Sequence, residues 1–243
     1  MNATAASVSA ATAPVEVDRH SRLVRVTHWI NAISFLLLVP SGIAILFAHP
    51  EFYWGEVGYF GDPAALTLPL EPNMDHTAWG RGMHFLFAWV LVLNGIVYLL
   101  GGLFSGHFRR QMLPSLAQLR PSHVWHEIVE HARFVRPTGA AVLNYNVLQK
   151  VAYLVVIFVL LPVMFLTGLT MSPAVTAAFP ELFTLFGGRQ SARFIHFICA
   201  SGLVLFFAIH IVQIFVVGFV NEMRSMIFGK FRIEPSQTKG EQA

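Results

Sequence analysis

Charged residues are scarce in this 243-residue chain. Asp, Glu, Lys and Arg make up 12% of it, whereas ordinary soluble domains carry about a quarter. Apolar residues make up 55%, Phe alone occurs 22 times, and the mean hydropathy is +0.60. This composition argues against a soluble globular domain and is typical of a membrane protein.

Cysteine is nearly missing as well. Cys199 is the single cysteine, so the chain cannot close an internal disulfide or supply a cysteine-based zinc or iron–sulfur site. We also expect no secretory signal in residues 1–20, because they are small and polar without an apolar stretch and a cleavage site. We expect residues 1–20 to be a disordered cytoplasmic tail and residues 229–243 a second cytoplasmic tail.

Four stretches contain no Asp, Glu, Lys or Arg and are long enough to cross a bilayer core, which takes about 20 helical residues. They are roughly Val26–Ala48, Gly82–Phe104, Val151–Met171 and Phe194–Val220. None alternates like a barrel strand, so helices are the expected spanning structure. The sequence therefore predicts an all-α membrane protein, with a bundle of four transmembrane helices over residues 21–228.

Basic residues fall mainly on one side of these spans. Three precede the first span, six lie between the second and third, and four follow the fourth. Only Arg81, Arg189 and Arg193 lie on the other side. Because Lys and Arg are enriched in cytoplasmic segments, we expect both termini in the cytoplasm and the protein in a bacterial inner membrane.

The connections between the spans leave two alternatives open. The exterior connection between the first two spans is rich in acidic and aromatic residues. Trp54 and Trp79 in this region are suited either to anchoring at the membrane surface or to a docking surface for a partner. The cytoplasmic segment 122–135 holds three histidines, which suit an interfacial helix better than a metal site.

Four histidines lie inside the spans, where ionisable residues usually mark a functional site. Helix direction places His28 and His210 at similar cytoplasmic depth, and His84 and His196 at similar exterior depth. His196 and His210 are separated by a helical rise of about 21 Å and by about 40° around the helix axis, so both face one interior. We call His28 and His210 the inner pair, and His84 and His196 the outer pair.

Two imidazoles from facing helices are the axial ligands of a six-coordinate haem iron. No C-x-x-C-H motif is present, so two haems of the b type are expected. Arg25, Arg81 and Arg193 each precede a histidine ligand by three residues and are candidates to bind haem propionates. Interhelical hydrogen bonding by the histidines and snorkelling by the arginines are the alternative interpretations.

Three of these motifs carry a family resemblance: RVTHWINAISF (25–35), RGMHFLFAW (81–89) and RFIHF (193–197) followed by AIH (208–210). The chain resembles the b-type cytochrome subunits of nickel–iron hydrogenases, formate dehydrogenases and thiosulfate reductases. The resemblance implies a dihaem membrane cytochrome b that transfers electrons between a periplasmic oxidoreductase subunit and the quinone pool. The partner would be a molybdopterin enzyme, an iron–sulfur subunit or a hydrogenase, and 48–63 is most similar to versions paired with molybdopterin enzymes.

The resemblance also implies a site for menaquinone or ubiquinone near the cytoplasmic-side haem. The family has a motif before its third helix that this chain repeats as NYNVLQK (144–150). Asn146, Gln149 and His210 are the candidate quinone residues, since a carboxamide can hydrogen-bond a quinone carbonyl. A polar start of the third helix at NYN is the alternative interpretation. The alternatives are a stand-alone quinone-linked dihaem cytochrome and, in another class, a transporter that relays protons through histidines.

Overall fold

The computed structural model describes residues 14–59, 61–133 and 144–233. Within them, four helices are long and apolar enough to cross a membrane: α1 (Arg22–Ala48), α2 (Thr77–Phe104), α4 (Val147–Thr170) and α7 (Arg189–Val217). The predicted all-α membrane fold is confirmed. The helices begin up to five residues before the apolar runs, because polar residues outside the hydrocarbon can continue a helix.

Shorter elements fill the connections. In chain order they are β1 (Val15–Asp18), β2 (Glu51–Phe52), β3 (Leu66–Thr67), a π-helical turn (Phe108–Met112), α3 (Pro121–Ala132), α5 (Pro173–Ala178), α6 (Glu181–Leu185), α8 (Phe219–Phe228) and β4 (Lys230–Ile233). The expected interfacial helix in 122–135 corresponds to α3. In α3, Nε2 of His123 lies 3.5 Å from Oε1 of Glu127, and Nε2 of His126 lies 3.2 Å from Oε1 of Glu130.

Glycine and proline explain two local features of the spans. Gly218 has φ of +136°, a backbone conformation that glycine adopts without steric strain. Because this conformation is not helical, α7 ends at Val217, three residues before the predicted end at Val220. In α4, residues Val156–Leu160 form a π-helical segment just before Pro162. Proline has no backbone N–H to donate within the helix, and a π-bulge beside it accommodates the loss of that hydrogen bond.

The N-terminal and C-terminal segments pair as a two-stranded antiparallel ribbon. Val15 lies opposite Ile233 and Asp18 opposite Lys230. Val15 and Val17 pack on Phe231 and Ile233, which are 3% and 4% exposed. Residues 15–18 therefore form a strand instead of the expected disordered tail, since alternation gives them one apolar face. Residues 1–13 and 234–243, the rest of the two predicted tails, lie outside the described residues.

The described residues divide into two compact units. The inner unit comprises the described residues within 1–28, 98–153 and 208–243, and the outer unit those within 29–97 and 154–207. Both members of the inner pair belong to the inner unit, and both members of the outer pair belong to the outer unit. Each histidine pair can therefore be described within a single unit.

In the outer unit, the connection after α1 is fastened to the start of α7. Phe52 of β2 is 1% exposed, with its ring 4.5 Å from that of Phe197 and 5.5 Å from that of Phe194. The Ser191 hydroxyl accepts the Gly55 amide hydrogen at 2.7 Å, and the Gly55 carbonyl accepts the Ser191 amide hydrogen at 3.2 Å. Aromatic packing and hydrogen bonds between Gly55 and Ser191 thus hold this connection against the start of α7.

Candidate functional site

The outer pair brings α2 and α7 together. The ring centroids of His84 and His196 are 6.2 Å apart, and the ring planes are inclined by 59°. Each ring contacts a hydroxyl through Nδ1: Ser41 Oγ lies 3.2 Å from His84, and Thr167 Oγ1 lies 3.0 Å from His196. Because the Nδ1 atoms are engaged, the Nε2 atoms are the available ligands.

The inner pair brings α1 and α7 together with nearly the same geometry. The ring centroids of His28 and His210 are 6.3 Å apart, with an angle of 57° between the planes. Thr27, next to His28, is 2% exposed and donates its hydroxyl hydrogen to the Leu23 carbonyl at 2.8 Å. The structure therefore brings together both pairs that helix depth predicted.

The ring separations fit a metal ion held between two imidazoles. A metal–imidazole bond is about 2 Å long, and the ring centroid lies about 1 Å behind the ligating nitrogen, so two rings on opposite sides of one ion have centroids about 6 Å apart. Both pairs meet this requirement. Two neutral nitrogen donors on opposite sides are also the ligand set of a six-coordinate haem iron.

Comparison with known families agrees with this donor set. The family model described as prokaryotic cytochrome b561 matches residues 19–229. The chain belongs to this family. It is therefore a multi-pass membrane cytochrome that binds haem b and transfers electrons, and the predicted membership of a b-type cytochrome family is confirmed.

One curated relative of the cytochrome is described as a putative protein-methionine-sulfoxide reductase subunit, YedZ1, from Azospira oryzae. It is 32% identical over 198 residues, which cover 80% of this chain and 89% of that protein. No solved structure matches the chain.

Two of the three arginines predicted to meet propionates contact main-chain carbonyls. Arg25 donates to the Ile227 carbonyl at 2.8 Å. Arg193 donates to the carbonyls of His49 and Glu51, the latter at 2.8 Å, and its guanidinium lies 4.6 Å from the centre of the Phe52 ring. Arg193 thus fastens the outer connection to α7.

Arg81 is exposed at the first turn of α2. The role of Arg25, Arg81 and Arg193 in binding propionates stays a prediction.

The quinone candidates Asn146 and Gln149 form a capping box at the start of α4. Asn146 Oδ1 accepts the Gln149 amide hydrogen at 2.9 Å, and Gln149 Oε1 accepts the Asn146 amide hydrogen at 3.3 Å. The Asn146 side-chain amide also lies 3.2 Å from Nε2 of His131, whose Nδ1 donates to the Glu127 carbonyl at 3.0 Å. Asn146 therefore starts α4 and connects it to α3, whereas its quinone role stays a prediction.

The inner unit also contains ionisable groups that the sequence analysis did not single out, and two of them, His20 and Glu222, interact with the inner pair. Arg19 donates to the Glu222 carboxylate at 2.7 Å. Burial, reinforced by Arg19 and then His28, lowers the pKa of His20 to about 4, and burial also lowers the pKa of His107. Burial raises the pKa of Tyr145. Burial thus disfavours the charged forms of these three groups, and the Arg19–Glu222 ion pair lies in the same unit.

Across residues 14–59, 61–133 and 144–233, no three side chains of His, Cys, Asp or Glu meet in a way that could hold a metal ion.

Proposed function

We propose that this cytochrome holds two haems b and carries electrons across a bacterial inner membrane between the quinone pool and a periplasmic oxidoreductase subunit. The observation that carries this proposal is the pair of matched imidazole separations, 6.2 and 6.3 Å, formed by residues of adjacent helices. A single haem would leave one of these pairs without a role. Haem b supplies a one-electron carrier whose potential the protein adjusts.

The inner pair is the proposed site of exchange with quinone. The inner unit contains Asn146, Gln149 and His131 in one hydrogen-bonded group, and the ion pair Arg19–Glu222. A carboxamide nitrogen has two hydrogens, so Asn146 can retain its contact with His131 and still donate to a quinone carbonyl. Quinone oxidation and reduction move protons as well as electrons, which suits a site with several ionisable neighbours.

The outer unit is the proposed site of contact with the partner. The relative of this chain from Azospira oryzae is described as a putative subunit of a protein-methionine-sulfoxide reductase. A reductase that acts on the same class of substrate is therefore the proposed partner. Reduction of a sulfoxide to a thioether and water consumes two electrons and two protons. Electrons would then leave quinol at the inner pair and reach the partner from the outer pair.

The first experiment is a haem count on the purified full-length chain. A reduced-minus-oxidised spectrum with pyridine haemochrome analysis should give two haems b per chain. A count of one or zero would contradict the dihaem proposal.

The second experiment assigns each haem to its histidines. His196→Ala should remove one spectral component, and His210→Ala should remove the other together with reduction by a quinol analogue. His126→Ala is the control, because His126 lies on exposed α3 with a side chain that is 68% exposed. Loss of the same component in both ligand variants would contradict the pairing.

A further inference from the structure

The two histidines of the outer pair contact the same dipeptide pattern on the neighbouring helices. In α1, Ser41 is followed by Gly42, and both approach His84. In α4, Thr167 is followed by Gly168, and both approach His196. A hydroxyl residue followed by glycine thus meets each outer imidazole, on two helices that are distant in the sequence.

The direction of each hydrogen bond follows from the second contact of each hydroxyl. Ser41 donates its hydrogen to the Leu38 carbonyl at 3.0 Å, and Thr167 donates its hydrogen to the Val163 carbonyl at 2.7 Å. A hydroxyl has one hydrogen and two lone pairs. With its hydrogen on the carbonyl, each hydroxyl oxygen accepts from the imidazole, which favours the tautomer with hydrogen on Nδ1 and leaves the Nε2 lone pair for a ligand. The Leu38 carbonyl near His84 and the Met164 carbonyl near His196 are acceptors that favour the same tautomer.

Both hydroxyls are fully buried, with 0% exposure for Ser41 and for Thr167. A Ser or Thr inside a helix can satisfy its own hydrogen by bonding to the preceding turn. Thr170 shows this simpler case: it is also 0% exposed, and its hydroxyl donates to the Leu166 carbonyl at 2.8 Å. The placement of Ser41 and Thr167 against imidazoles goes beyond what their own burial requires.

The glycines leave room for the ring edges. A Cβ atom at Gly42 would lie 3.4 Å from Cε1 of His84, and one at Gly168 would lie 3.7 Å from Cε1 of His196. At these distances an added Cβ atom would make ordinary van der Waals contact with the ring, so each glycine lies directly against a ring edge. Each outer imidazole is thus in contact with a hydroxyl at Nδ1 and with a glycine at its Cε1 edge.

We propose that Ser41–Gly42 and Thr167–Gly168 are paired positioning motifs that orient the outer histidines toward the haem iron and lower the reduction potential of the outer haem. The proposal rests on the proposed function, in that the outer pair binds a haem. An acceptor at Nδ1–H makes the imidazole more electron-rich at Nε2. A more electron-rich ligand stabilises ferric over ferrous iron, so loss of the acceptor makes the outer haem easier to reduce.

The decisive variants are Thr167→Val, which keeps the shape and removes the hydroxyl, and Thr167→Ser, which restores the hydroxyl. Thr170→Val is the matched control, because it removes a buried hydroxyl from the same helix that contacts no imidazole. The readouts are a potentiometric titration of the full-length cytochrome and the electron paramagnetic resonance spectrum of its ferric haems. The component that His196→Ala removes identifies the outer haem.

In Thr167→Val we expect the ferrous-to-ferric ratio of the outer haem at a fixed potential to rise about 2- to 10-fold, the range for one hydrogen bond. We also expect a changed resonance of that haem alone. Thr167→Ser and Thr170→Val should match the parent protein. Loss of the outer haem in Thr167→Val, with retention in the other two variants, would equally support the proposal.

An unchanged outer potential and resonance in Thr167→Val would overturn the proposal, and so would an identical shift in Thr170→Val. These outcomes are distinct from failure of the proposed function. In that case the parent protein itself would have no haem component that His196→Ala removes.

Discussion

The inner and outer histidine pairs hold their rings almost alike but differ in their surroundings. Centroid separations of 6.3 and 6.2 Å and ring angles of 57° and 59° are nearly the same. The outer imidazoles each meet a neutral hydroxyl, from Ser41 and Thr167. The inner pair instead lies among ionisable groups, since His20 interacts electrostatically with His28 and Glu222 interacts with His210.

This difference matches the roles proposed for the two ends. A site that passes only electrons gains from fixed neutral dipoles, because they keep the ligand geometry constant without binding protons. A site that exchanges electrons with quinone also needs groups that can accept and donate protons. The same ligand geometry can therefore serve two kinds of redox step when the residues around it differ.

Removing one ligand from each pair should have the largest effect. His28→Ala should abolish the inner haem and His84→Ala the outer haem, so each variant retains half of the parent haem content. The reason is that a histidine pair with one member cannot hold six-coordinate iron. Haem content per chain and the reduced spectrum measure this, and a variant that loses both haems would show that the pairs are not independent.

The outer pair also depends on the connection that Arg193 fastens. Arg193→Gln removes two charge-assisted hydrogen bonds to the carbonyls of His49 and Glu51, and we expect a loss of about 2 kcal/mol in stability. Thermal loss of the outer haem signal in detergent, with proteolysis near Trp54, measures this. Arg189→Gln, at an exposed position one turn earlier in α7, is the control and should behave like the parent.

An equal loss of the inner haem signal in Arg193→Gln would contradict the assignment of this contact to the outer unit.

The inner unit should be the acid-sensitive part. The pKa of His20 is about 4 in the folded protein, below the ordinary value of about 6.5, so the unfolded chain binds more protons between these values. Stability should therefore be fully present above about pH 6.5 and fall toward pH 4, by on the order of 1–2 kcal/mol. Thermal unfolding across this range measures the slope.

His20→Gln is the matched variant for this pH series, since it keeps a polar side chain and removes the titrating group. It should reduce the slope while leaving stability at pH 7.5 close to that of the parent. An unchanged slope would assign the acid sensitivity to other groups.

The smallest expected effect is on substitution of Asn146, and it distinguishes the helix-capping role of this residue from its proposed quinone role. Asn146→Ala removes the cap of α4 and should cost about 1 kcal/mol, whereas Asn146→Ser keeps a capping oxygen and should keep the stability. If Asn146 also binds quinone, Asn146→Ser should still slow reduction of the inner haem by a quinol analogue. Parent-like rates in Asn146→Ser would leave the cap as the role of this residue.

The four membrane spans and the two histidine pairs could be predicted from the sequence because each depends on features within a short stretch of the chain. The length of an apolar run sets a membrane helix, and the spacing of His196 and His210 sets their common face. The hydroxyl contacts were harder to find, since Ser and Thr are common in membrane helices and their rotamers depend on the neighbouring helix. The repeated Ser–Gly and Thr–Gly dipeptides in the first and third spans were the available signal.

Long-range pairing was beyond the sequence analysis for another reason. Val15–Asp18 and Lys230–Ile233 both alternate apolar and charged residues, but segments of four residues are too short to predict a strand. Their partnership spans nearly the whole chain, and no local pattern specifies it. Likewise, the composition around Asn146 suited both a helix cap and a ligand site, and only the coordinates showed the capping box.

The β1–β4 ribbon makes this chain a candidate for circular permutation. Its register places Val15 opposite Ile233, so a short linker could join residues 14 and 233 without disturbing either strand. New ends could then be opened elsewhere, for example in the exposed turn at Gly61. Both ends of such a permuted chain would lie in the outer unit's connection, where a reporter domain could be fused.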